Sequence, residues 1–132
     1  MDDIFIEIPG VPVAWRSHAG FGRKSWNPLW REREYYQSKI RDQYKGDPIK
    51  LSVGADYTFY IRIPQSTPMK SRTRMLLKEI RPAKRPDRDN LAKFLSDCLQ
   101  GIVIVDDSII VEGKIEKYYG EIPMTMIRIY GV

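Results

Sequence analysis

The chain has 132 residues, 22 Lys plus Arg against 17 Asp plus Glu, and a formal net charge of +5. That length suits one domain, residues 1–132, whose core needs no disulfide or metal staple. A composition of 42% hydrophobic and 30% charged residues excludes a disordered tail or a collagenous repeat, and apolar runs such as Ile102 to Val105 are far too short to cross a bilayer.

Met1-Asp2-Asp3-Ile4 opens on acids where a secretory leader would be basic, so the chain reads as cytoplasmic. Ile4 to Ile8 is a short apolar run stopped by Pro9-Gly10, a first strand ended by a turn. Val11 to Asn27, with Ser17, Gly20 and Gly22 among bases, reads as a mobile loop or ribbon. Asn27-Pro28 is a helix-start signal, an N-cap followed by Pro at the first position, and the helix runs to about Tyr44, with Gly46-Asp47-Pro48 beyond it. Ile49 to Ile63 alternates β-branched and aromatic residues and predicts a long strand ended by Pro64. Ser66 to Glu79 predicts a short basic helix, and Pro82 to Pro86 a connector. Asp87 to Gln100 is the clearest helix, closed by Gly101 where a left-handed C-cap is favoured. Two strands, Ile109 to Tyr119 and Met124 to Tyr130, follow as a hairpin through Gly120-Glu121. The order β-α-β-α-α-β-β predicts an α+β fold with helices packed on one mixed sheet.

Charge is unevenly distributed. Trp15 to Lys45 carries eight basic and three acidic residues, Arg62 to Lys93 ten and three, while Phe94 to Val132 carries six acids and three bases. The first two segments therefore suit a polyanionic partner. Arg23, Lys24, Arg31 and Arg33 are interleaved with Trp26, Trp30, Tyr35 and Tyr36, a pairing of phosphate-neutralising cations with rings that stack on bases. The plainer reading is a solvated basic surface, with Trp30 and Tyr36 facing the core of an amphipathic helix.

The chemistry concentrates after Lys84. At about 100° per residue, Leu91, Phe94, Leu95, Cys98 and Leu99 share one face of the predicted helix, and Asp89, Lys93, Asp97 and Gln100 the opposite one. That second face places a lysine between two carboxylates one turn away in each direction, with Asp87 at the helix start. Asp106-Asp107-Ser108 lies between two apolar β-type runs, Ile102 to Val105 and Ile109 to Val111. With one cysteine, Cys98, and one histidine, His18, any metal must be held by oxygen ligands. Three or four converging carboxylates suit Mg²⁺, or Mn²⁺ in its place, and a cation there with a lysine beside it is what phosphodiester hydrolysis requires. Each acid also has a structural reading: Asp87 as an N-cap, Asp89 as a first-turn acid or the i, i+4 partner of Lys93, and Asp106-Asp107 as a polar turn. Cys98 reads as a small buried hydrophobe and His18 as a loop residue.

The run Arg85-Pro86-Asp87-Arg88-Asp89-Asn90-Leu91-Ala92-Lys93, then Asp97-Cys98-Leu99, then Val105-Asp106-Asp107-Ser108-Ile109-Ile110-Val111, resembles the signature of the RusA family of Holliday junction resolvases, small endonucleases common in prophages. The likeness is densest from Lys84 to Val111 and extends, more loosely, over most of the chain. It implies a homodimeric, Mg²⁺-dependent enzyme that makes paired nicks across a four-way DNA junction in recombination and repair. Carried over by motif, Asp87, Asp89, Asp107 and Lys93 are the catalytic set. Asp87, Asp89, Asp106 and Asp107 are the metal-ligand candidates, the adjacent pair leaving the assignment open by one residue. Asp97 and Asn90 take supporting roles. A basic face for DNA is expected from Arg16, Arg23, Lys24, Lys70, Arg72, Arg74, Lys84, Arg85 and Arg88. Two departures stand out: Ala14-Trp15-Arg16-Ser17-His18-Ala19-Gly20 replaces a stretch that is often basic in relatives, and the helix-to-Asp106 spacing is short by about a residue. Three competing readings are a non-catalytic nucleic-acid-binding module, a metal-dependent nuclease for other branched DNA or RNA, and a decayed, inactive family member.

Overall fold

The computed structural model describes residues 1–16 and 28–132. Expectations on Ser17 to Asn27, which include the rest of the predicted loop, the Asn27 cap, His18, Trp26, Arg23 and Lys24, lie outside the described residues. In chain order the elements are β1 (Ile4–Pro9), α1 (Trp30–Gln43), β2 (Val53–Arg62), α2 (Met69–Leu76), α3 (Arg88–Leu99), a single 3₁₀ turn (Asp107–Ile109), β3 (Ile110–Glu112), β4 (Ile115–Gly120) and β5 (Met124–Gly131). This is the α+β order expected from the sequence, with helices on one mixed sheet. No helix among the described residues is long and apolar enough to cross a membrane.

Strand β2 organises the sheet. One edge pairs antiparallel with β5, which in turn pairs antiparallel with β1. The other edge pairs in parallel with β3 and β4. The expected hairpin between the last two strands is therefore corrected: β4 and β5 lie on opposite edges of β2, and the chain between them passes the end of that strand, where the Ile63 amide donates to the Gly120 carbonyl at 3.1 Å. A strand–turn–strand pattern is the same whether two strands pair or straddle a third. What decides here is that β5 joins β1 to β2, placing Thr125, Ile127 and Ile129 in the core.

Alternation along β2 buries Val53, Ala55, Tyr57 and Phe59 under α1 and α3, which add Tyr36, Ile40, Leu91, Phe94, Leu95, Cys98 and Leu99. The ring of Tyr36 meets Phe94 edge-on at 5.1 Å, and its hydroxyl receives the Val13 amide at 3.2 Å and lies 3.4 Å from that of buried Thr125. Tyr36 thus belongs to the core, while Trp30 is half exposed with the Arg31 guanidinium over its ring at 5.1 Å. Helix α1 starts later than the Asn27-Pro28 signal placed it, with Leu29 at the N-cap position and no side-chain cap. Ile102 to Val105 is a tight turn and not a strand. Ile104 bridges Ile49, whose amide donates to the Val103 carbonyl at 2.8 Å, so this turn is stapled to the chain leading into β2.

The expected single strand from Ile109 to Tyr119 is broken into β3 and β4 at Gly113-Lys114, and the register on β2 shifts just before the break, between the Val53–Ile110 and Gly54–Glu112 pairs. Gly113 has φ +139°, and a Cβ there would stand 1.8 Å from the Ala55 carbonyl oxygen, so backbone occupies the space of a side chain. The Lys114 amide donates to Asp56 at 2.9 Å, and Arg128 joins Asp56 (3.0 Å) to Asp3 (2.9 Å), tying this break to β2, β5 and the residue before β1. The edge of β4 is covered by arginines: Arg81 donates to the Lys117 carbonyl at 3.0 Å and Arg88 to that of Ile115 at 3.5 Å. Gly113→Ala is expected to destabilise the fold by at least about 2 kcal/mol, combining backbone strain with a backbone clash. Gly10→Ala, with φ +115° and open space around its Cβ, is expected to show only the conformational part, about 1 kcal/mol. Urea denaturation of the two variants measures the difference.

Candidate active site

Helix α3 supplies most of the site, and its start is self-capping. Asp87 adopts extended φ/ψ at the N-cap and accepts from the Asn90 amide at 2.8 Å and from the Asn90 side-chain nitrogen at 3.2 Å. The predicted apolar face is buried throughout, from Leu91 to Leu99, and Gly101 just past the helix takes φ +82°. Asp89 and Lys93 project into solvent, Asp89 with 88% of its side chain exposed and the Arg88 guanidinium 3.8 Å away. Asp97, one turn further, is half-buried.

Across from α3 is a surface cleft of about 390 Å³. Ala92 and Ser96 line it from the helix, Ala55 and Tyr57 from β2, and Asp107 from the 3₁₀ turn, with residues 110–113 and 115 completing the wall. The two adjacent acids therefore have different employments. Asp106 caps the turn, accepting the Ser108 amide at 3.0 Å, and hydrogen bonding from the Ser108 side chain, with the amide adding to it, holds its carboxyl below the usual range. Asp107 faces the cleft. At the floor, the Tyr57 and Ser96 hydroxyls lie 2.8 Å apart, and burial pushes the Tyr57 phenol up to about 12, with the Asp107 charge adding to the rise against the Ser96 hydrogen bond.

Asp97 senses the whole group. Burial raises its pKa, the Asp107 charge adds to that, and Arg33, Lys93 and the Gln100 amide at 3.3 Å oppose it. Arg33 also donates to the Asp97 carbonyl at 3.4 Å, joining α1 to this end of the site. At the other end Lys117 donates to the Lys84 carbonyl at 2.6 Å. Burial lowers the pKa of its ammonium, with nearby Asp87 acting in the opposite sense. Lys93 lies with its ammonium 3.6 Å from the centre of the Trp15 ring, and the Trp15 amide donates to the Asn90 carbonyl at 2.9 Å. Cys98 is an inert buried thiol whose pKa burial pushes up to about 12.

No three metal-ligating side chains are assembled around one point among the described residues. The donor set nonetheless fits a hard divalent cation in its chemistry: all candidates are carboxylates, and Asp89 and Asp107 are exposed. Of the expected DNA-facing residues, Arg16, Lys70, Lys84 and Arg85 are exposed. Arg72 is largely covered and bidentate to Glu121 at 3.0 and 2.9 Å, Arg74 pairs with Glu79 at 3.2 Å, and Arg88 reaches Asp89 and the β4 edge. Sequence reasoning did not single out Tyr57, Ser96, Lys117 or the role of Trp15, and it read Arg33 as a phosphate-neutralising cation and not as a neighbour of Asp97. Tyr57 and Ser96 carry no local signal, since a buried Tyr in an alternating strand reads as core, whereas Trp15 was visible as a departure from the family pattern.

Because folded Asp97 holds its proton more tightly than the unfolded chain does, ionising it works against folding. That penalty is absent below the unfolded carboxylate range near about 3.9 and sets in as pH rises toward the raised folded value. Asp97→Asn is expected to raise the melting temperature at pH 7 by roughly 1 °C, held small by solvent screening, with the gain vanishing in acid. Melting curves from pH 3 to 7 for both proteins check this.

Comparison with known proteins agrees with the motif. The chain is similar to YqaN of Bacillus subtilis (strain 168), itself described as an uncharacterized protein, with 28% identity over 137 residues that cover 98% of this chain and 96% of YqaN. The family model of endodeoxyribonuclease RusA matches residues 30–130, a span that contains α3, the cleft, β2 to β4 and all of β5 but its last residue. With its acid-and-lysine helix set beside Asp107, this chain belongs to the RusA endodeoxyribonuclease family.

Proposed function

We propose that the protein is a Mg²⁺-dependent endonuclease that resolves four-way DNA junctions by paired nicks, acting as a homodimer in the cytoplasm during recombination and repair, in a prophage setting. The observation that carries this reading is that Asp87, Asp89 and Lys93 are exposed on the first two turns of α3, while Asp107, on the turn that leads into β3, lines a cleft with Ala92 and Ser96 of the same helix. Asp87, Asp89 and Asp107 would hold Mg²⁺, or Mn²⁺ in its place, which when bound supplies Lewis acidity at the phosphoryl group. The chain's own contribution is electrostatic. Lys93 offers a positive charge to the phosphoryl oxygens as negative charge builds there. Asn90 holds Asp87 at the helix start, and Asp97, flanked by Arg33 and Lys93, keeps that lysine's surroundings polar. Asp106, engaged as a cap, has the lesser claim of the adjacent pair. Exposed Arg16, Lys70, Lys84 and Arg85 suit phosphate contacts outside the reacting centre. A junction presents two equivalent strands, and a two-fold dimer with two sites provides for paired incision.

A second reading, a binding module without catalysis, draws on one observation: Asp87 and Asp106 are both occupied as caps, and no metal cluster is assembled among the described residues. The two readings part on Asp87→Asn. Asparagine is as good an N-cap as aspartate, so this change keeps α3 and removes only the charge. With an end-labelled synthetic junction, wild type is expected to nick in Mg²⁺ and not in EDTA. Asp87→Asn and Asp107→Asn should each lose at least about two decades of rate while still binding the junction. Tight junction binding with no cut in Mg²⁺ or Mn²⁺ would sink the nuclease reading, and equal cutting of flaps or linear duplex would sink the junction specificity.

A further inference from the structure

Lys93 sits one helical turn from Asp89 and one from Asp97, and an acid four residues before a lysine is the favoured arrangement for a helical ion pair. It makes neither pair: none of the ion pairs among the described residues includes Lys93, and residues 17–27 contain no acid. The ammonium lies instead over the indole of Trp15, 3.6 Å from the ring centre. That ring is a held platform. The Trp15 amide donates to the Asn90 carbonyl on α3 at 2.9 Å, the Val13 amide donates to the Tyr36 hydroxyl at 3.2 Å, and Trp15 packs half-buried against the core. The segment from β1 is thus fastened along the solvent face of α3, with the indole where it can hold a cation.

An ammonium paired with Asp89 or Asp97 would occupy the lone pairs that a divalent cation needs and would bring no net positive charge to a phosphate. Held on an aromatic face, it keeps its charge while the carboxylates stay available. Resting on the nuclease reading above, we infer that Trp15 is a positioning residue for Lys93: it keeps the ammonium off the neighbouring carboxylates, leaving them to the cation and the lysine to the substrate phosphate.

The test is a double-mutant cycle on the full chain with Trp15→Leu, Lys93→Gln and the two combined, and with Trp15→Phe as the conservative variant that keeps an aromatic face. The first readout is Mn²⁺ binding by titration calorimetry, without DNA. Trp15→Leu is expected to weaken Mn²⁺ binding roughly two- to fivefold, the range that one exposed lysine–carboxylate pair is worth. Trp15→Phe should restore most of that loss, and in the Lys93→Gln background Trp15→Leu should have no effect. A Trp15 that merely supports the fold would weaken binding equally in both backgrounds, and that additive result overturns the inference, as does equal Mn²⁺ affinity, or none, in all four forms. The second readout is the NMR shift of the Lys93 side-chain methylenes, displaced upfield by the ring in wild type and Trp15→Phe and released in Trp15→Leu; undisplaced signals in wild type also overturn it. Junction cleavage by the same proteins separates the two levels. A coupled cycle with no cleavage by wild type keeps this inference and removes the nuclease reading, and normal cleavage with an additive cycle does the reverse.

Discussion

The parallel pairing of β2 with β4 is the constraint on which the site depends. Parallel neighbours cannot be joined by a tight turn, so the chain from Ile63 to Ser108 must leave one end of the sheet and return at the other. Helix α3 lies on that crossing, and its apolar face fixes its rotation against β2. With Leu91, Leu95, Cys98 and Leu99 wholly buried, Asp89 and Lys93 have to face outward. The return passes through the Asp107 turn into β3, bringing that carboxylate to the cleft beside Ala92 and Ser96. Two sequence-distant acidic segments become neighbours because one sheet edge demands a crossover.

Around this crossing, charges divide into those already engaged and those left available. Asp106, Arg72, Arg81 and Arg128 are each bound to a backbone group or an opposite charge, and their work is to hold the 3₁₀ turn, the end of β4, its edge and the outer sheet face. Among the described residues, Asp89, Asp107 and Lys93 have no such engagement with a carboxylate or guanidinium closer than the 3.8 Å Arg88 contact. A site for a phosphodiester and a divalent cation needs this second kind. Surface ion pairs are weak, so an uncommitted charge is a small loss to stability and a large asset at a centre where charge develops. The aromatic seat of Lys93 extends the same division, since an indole holds a cation without neutralising it.

The local features of this protein were legible because their causes are local. The apolar spacing from Leu91 to Leu99, the N-cap at Asp87, the left-handed glycine at Gly101 and the alternation along β2 are properties of neighbouring residues, and each stands where the sequence put it. The spacing of Asp87, Asp89, Lys93 and the later acid pair was equally local, and it carried the family. Local pattern misled where two readings share it: Ile102 to Val105 is apolar enough for a strand yet is a turn stapled to Ile49, and the Asn27-Pro28 signal precedes the helix that begins at Trp30.

The sequence by itself determined the α+β element order, the amphipathic helix with its outward acids and lysine, and the family. Tertiary structure decided the rest: that β4 and β5 flank β2 instead of pairing, that Asp107 faces the cleft while Asp106 caps a turn, that Tyr57 and Ser96 form its floor, and that Lys93 rests on Trp15 and not on Asp89 or Asp97. The physical reason is one of range. Periodicity and capping depend on residues within a turn or two, whereas strand neighbours, cleft walls and the partner of a long flexible side chain depend on which distant segments burial brings together.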